Sequence, residues 1–133
     1  MISKDIHATE QLYRAVKRSR PDCLDRNNRP TAAMFKDTDG VSVDRDGGRK
    51  DAECIKFMCE VTFPKRVKGV ARLSALECLN AGTEVKAAPT STNPYHANIF
   101  LDSSDIRRQN IQALKLARAS SLTFLDKFKE WTQ

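Results

Sequence analysis

Apolar positions recur along this chain at two spacings, and the change from one to the other marks the expected elements. The longest alternation covers residues 54–63. Ile55, Phe57, Cys59, Val61 and Phe63 fall on one side, and Lys56, Met58, Glu60 and Thr62 on the other. This predicts a strand with Cys59 in the core and Cys54 on the mixed face, ended by Pro64. Shorter runs at 41–44, 69–73, 83–88 and 95–101 predict further strands. Within them, Val41 and Val43 oppose Ser42 and Asp44, and Ala97 and Ile99 oppose His96 and Asn98. Helical spacing links Leu12, Ala15 and Val16, so residues 4–19 predict a helix, or a helix followed by a strand. Ser74 with Glu77 forms a capping box for a short helix stopped at Asn80-Ala81-Gly82. A last helix begins at Ile106, with Ser103 or Ser104 as its cap and Asp105 in its first turn. Ser120-Ser121 break or kink it, and Leu122, Leu125, Phe128 and Trp131 carry its apolar stripe to the end. Residues 20–31, Asp46-Gly47-Gly48 and 89–94 read as loops and turns.

Together these elements predict an α+β fold. It has a small, mostly antiparallel sheet of four to five strands, flanking helices and a C-terminal amphipathic helix. The length of 133 residues suits one core, so residues 1–133 are taken as a single domain. Composition agrees: 40% hydrophobic and 30% charged residues describe an ordinary globular chain, not a collagen-like or disulfide-knot one. No apolar run is long enough to span a bilayer. The start, MISKDIHATEQ, lacks the apolar stretch of a secretory signal, and a cytoplasmic location is expected. The cysteines Cys23, Cys54, Cys59 and Cys78 form no C-x-x-C pair and no close cluster with histidine. Reduced thiols are therefore expected, with no metal and no cofactor.

The formal net charge is +6, spread along the chain rather than gathered in one arm. Such a balance favours anionic partners through long-range attraction. The last helix concentrates it locally: Arg107, Lys115 and Arg118 share one broad sector and Arg108 flanks them. The leading expectation is a small basic binding module for an anionic partner, with DNA or RNA first and an acidic protein second. The plain competing reading is a solvated helix face. A second expectation is a small enzyme acting on a nucleotide or another phosphorylated compound. It would use Arg14, Ser42, Asp44 and His96, and it requires those side chains to converge on one pocket. A third is an inhibitor or adaptor protein from a mobile element.

Two resemblances bear on these expectations. Arg14, Ser42 and Glu77, with LYRAV at 12–16, resemble the Arg–Ser–Glu set of some ADP-ribosyltransferases, which implies an NAD-consuming transfer. The chain departs from that pattern, having no Ser-Thr-Ser and no Glu-x-Glu. Separately, LYR at 12–14, AAMFKD at 32–37, SVD at 42–44 and NPYHA at 93–97 together resemble a set of small stand-alone bacterial or phage-encoded proteins without an assigned activity. That likeness covers residues 12–119 and implies that the four segments meet around one polar surface. It carries over no catalytic role.

Overall fold

Alternation along a strand sends its side chains to opposite sides of a sheet, and here the two sides meet different partners. The computed structural model describes residues 2–37 and 39–125. Its strands are β1 (Gln11–Lys17), β2 (Val41–Arg45), β3 (Val67–Ser74), β4 (Glu84–Ala87), β5 (His96–Phe100) and β6 (Ser121–Phe124). Its α-helices are α1 (Asp51–Phe57), α2 (Ala75–Asn80) and α3 (Ile106–Ala119). The strands form one sheet in the order β4-β5-β2-β1-β3-β6, with every neighbouring pair antiparallel. The expected α+β class is found. Among the described residues the sheet has six strands where four or five were expected.

One side of the sheet carries the main core. Leu12 and Val16 of β1, Val41 and Val43 of β2, Ala71 and Leu73 of β3, and Ala97 and Ile99 of β5 are buried there. They pack against Ala113, Leu116 and Ala117 of α3, Ala75 and Cys78 of α2, and Met34 and Phe35 from the 3-10 turn Ala32–Phe35. On the other side, Tyr13, Val67 and Val70 form a smaller core with Cys54, Ile55 and Met58. That second layer covers the β1–β3 part of the sheet. Ser42, Asn98 and Lys86 lie in register across β2, β5 and β4 on the same side, away from this cover.

The long alternation at 54–63 is where the structure departs most from expectation. Residues 51–57 form α1, and a π-helical stretch, Met58–Thr62, continues it directly. A helix places Cys54, Ile55 and Met58 together, at spacings of one and four, and all three are buried against β1 and β3. Burying a large apolar side chain contributes roughly 1.5–3 kcal/mol, and the helical phase delivers Ile55 and Met58 to the same side. The expected roles of the two thiols are therefore exchanged. Cys54 is fully buried, Cys59 is half-buried and Val61 is 50% exposed.

Three smaller departures have equally local causes. Residues 11–17 are strand, as the second of the two expected forms has it, but no helix precedes them; a spacing of four between Leu12 and Val16 satisfies a period of two as well as one of 3.6. The cap of α3 is Asp105 itself: its Oδ1 accepts the backbone N–H groups of Arg107 (3.0 Å) and Arg108 (3.2 Å). Finally, α3 ends at Ala119, and the chain returns as β6 along β3 instead of extending an amphipathic helix. Leu122 thereby packs on the main core. Phe128 and Trp131, expected on the continued stripe, lie outside the described residues.

Candidate anion-binding face

The helix α3 has two contrasting sides. Gln112, Ala113, Leu116 and Ala117 face the sheet and are buried. Gln112 ties the helix at both of its amide atoms: its Nε2 donates to the Gly82 carbonyl (3.0 Å) and its Oε1 accepts the Asp102 N–H (2.8 Å). At 100° per residue, Arg107, Ile111, Lys115 and Arg118 fall within an arc of about 80° on the outward side. All four are exposed, with Ile111 at 55%, and Leu114 borders them at 38%. The sequence of α3, IRRQNIQALKLARA, contains no acid. Among the described residues Arg107, Lys115 and Arg118 make no ion pair. Arg108, set to one side, approaches Asp102 at 3.7 Å. The expected basic set is thus brought to one surface, three members open to solvent and the fourth partly neutralised. Arg107 and Arg118 stand about 16 Å apart along the axis, from the rise of 1.5 Å per residue.

The second set of expected residues is divided by the sheet. Arg14 points into the main-core side, where its Nε donates to the Met34 carbonyl (3.0 Å) and its Nη1 to the Ser42 carbonyl (2.9 Å). Burial lowers its pKa, against a nearby Asp37 that favours the charge. Asp44 and His96 face the other side, paired across β2 and β5. Asp44 is 2% exposed. Its Oδ1 accepts from Asn93 Nδ2 (2.8 Å) and its Oδ2 from Thr62 Oγ1 (3.2 Å). Burial raises its pKa, while these two bonds and the charges of Arg49 and His96 act in the opposite sense. The Nδ1 of His96 lies 2.8 Å from the Ala88 carbonyl. Ser42, Asp44 and His96 therefore share a face, and Arg14 does not join them. Glu77 serves the α2 cap, accepting the Ser74 N–H at 2.8 Å.

The four short motifs do meet, through named bonds. Arg14 of LYR reaches Met34 of AAMFKD and Ser42 of SVD, and Asn93 of NPYHA holds Asp44 of SVD. They clamp the strands from both sides of the sheet rather than line one surface. Beside them the Arg49 guanidinium stacks on Tyr95, 3.3 Å from the ring centre, and donates to the carbonyls of Asp46 (3.0 Å) and Arg45 (2.9 Å). A buried ion pair missed by sequence reasoning joins Arg45 to Glu10 with two contacts of 2.9 Å. The partners are 35 residues apart and no local motif links them.

All four cysteines are free. Burial pushes the Cys54 thiol up to about 11 and the Cys78 thiol up to about 12, so both are held as neutral thiols. Among the described residues no group of three or more His, Cys, Asp or Glu side chains is placed to hold a metal ion. No helix among them is long and apolar enough to cross a membrane. Compared with family models, curated proteins and solved structures, the chain matches none.

Proposed function

We propose that this protein is a small binding module whose outward α3 face engages an anionic partner, with nucleic acid as the first candidate. The observation that carries the reading is the row of Arg107, Lys115 and Arg118, without an ion pair among the described residues, on a helix without acidic residues. Its length of about 16 Å spans roughly five base-pair steps of 3.4 Å measured along the axis of a duplex. Ile111 within the row and Leu114 beside it add apolar area that sugars and base edges can cover. The division of Arg14 from Asp44 and His96 leaves the nucleotide-enzyme expectation without a shared pocket, so it is not adopted.

Electrophoretic shifts at low salt with single- and double-stranded DNA and RNA test the reading. The wild type is expected to shift at least one of these, and R107A/K115A/R118A to bind it about tenfold more weakly or worse. No shift with any of the four, or unchanged binding by the triple variant, overturns it.

A further inference from the structure

A cleft of ≈ 540 Å³ lies between residues 25–32 and the C-terminal half of α3. Its volume falls within the range of about 300–1,000 Å³ typical of small-ligand sites. Arg29 stands on the loop side and Arg118 on the helix side, both exposed and without an ion pair among the described residues. Pro30, Leu114 and Ala117 are among the apolar lining of the cleft. Asp25 is also at the rim. Its Oδ1 is committed to the backbone N–H groups of Asn27 (2.8 Å) and Arg29 (3.0 Å), which hold its pKa below the usual carboxylate range. The hydroxyls of Thr31 and Ser120 donate to the carbonyls of Asp22 (2.6 Å) and Ala117 (2.8 Å), so ligand-directed donors come from the guanidinium groups.

The loop is built, not slack. Leu24 bridges Pro30, the Asp25 N–H donates to the Arg29 carbonyl (2.9 Å), and the Thr31 N–H donates to the carbonyl of buried Cys23 (2.9 Å). Arg29 is therefore presented from a short closed hairpin, while Arg118 is the last member of the basic row on α3. The cleft adjoins the end of that row and is lined by the cations Arg29 and Arg118, with Asp25 as an anion beside Arg29, and by apolar Pro30, Leu114 and Ala117.

Resting on the binding reading above, we infer that the partner is a single strand and that one unstacked nucleotide sits in this cleft. Its phosphates would lie against Arg29 and Arg118, with the base over Pro30 and Leu114. Guanidinium planes and apolar side chains serve unpaired bases well. A paired base reaches such a site only after being flipped from its stack, a cost that a single strand avoids.

Fluorescence anisotropy at low salt tests this, using labelled 12-nucleotide DNA and RNA strands of mixed sequence and the corresponding duplexes. The wild type should bind the single strand at least tenfold more tightly than the duplex. R29A should weaken single-strand binding about fivefold or more and shrink that preference. R107A should weaken both forms by a common factor and leave the preference unaltered. Unchanged melting temperatures of both variants serve as the folding control. Equal affinity for single strand and duplex, or a preference untouched by R29A, overturns the cleft assignment while the anion-binding reading stands. Failure to bind either form overturns both.

Discussion

Asp44 shows what one buried carboxyl does to this fold. It is enclosed between Asn93 and Thr62, and burial lifts its pKa above the ordinary carboxylate range. A carboxyl with a folded pKa above its unfolded value favours folding fully below the unfolded value. That contribution is lost as pH rises through the folded value. Asparagine at this position can accept from Asn93 and donate to Thr62 once the Thr62 hydroxyl turns. D44N is thus expected to equal or exceed the wild type in stability at pH 7, with the advantage closing toward pH about 4. Urea midpoints of both proteins at the two pH values check this, and a difference that ignores pH contradicts it. D44A, by contrast, strands both partners and should cost about 1–3 kcal/mol. The Glu10–Arg45 pair sets a larger stake. Both side chains are nearly enclosed, and Arg45 also donates to the carbonyls of Ser3 (2.6 Å) and Asp5 (3.2 Å). E10A leaves a buried cation uncompensated, for an expected loss of about 3–5 kcal/mol in denaturant melts. R45A should in addition quicken limited proteolysis within residues 2–5, because it releases the carbonyls of Ser3 and Asp5.

At the scale of elements, the parts that could be read from sequence are those in which a local signal and tertiary burial agree. Strand β5 alternates as its burial requires, and β2 does so over Val41–Val43 before Asp44 and Arg45 are both buried. The Ser74–Glu77 box was legible because both of its bonds are local: Glu77 N–H to Ser74 Oγ at 3.1 Å, and Ser74 N–H to Glu77 at 2.8 Å. S74A should therefore cost about 1 kcal/mol, read as a lowered melting temperature, with little change in far-ultraviolet circular dichroism. An unshifted melting temperature would show that the cap carries no weight. Alternation failed at 54–63 because apolar residues there occupy both phases, and which phase is used depends on β1 and β3, distant in sequence. The boundary between α3 and β6 was half-legible, since Ser120-Ser121 mark a break but leave the type of the next element open. On the site, helical period alone placed Arg107, Lys115 and Arg118 outward, whereas the Arg108–Asp102 approach and the Arg29–Arg118 cleft depend on how loops return to α3.

For the whole molecule, the net charge of +6 predicts general attraction to polyanions, and the α3 row predicts its size. Three phosphate contacts imply a log–log salt slope of about −2.7 on B-DNA, and four on a single strand, with Arg29 added, one of about −2.8. Titrations between 50 and 200 mM salt would measure it, and a slope near zero would show that these cations do not meet phosphates. The order of the sheet has a separate consequence. The flank of β3 away from β1 is occupied by β6, which is translated roughly fifty residues later. While the chain is being synthesised, that flank stays bare until β6, which follows α3, has left the ribosome, and an exposed strand flank is a template for pairing with other chains. A version shortened to end at Ala119 would keep this nascent vulnerability for its lifetime, and should be recovered from cells largely as insoluble aggregate.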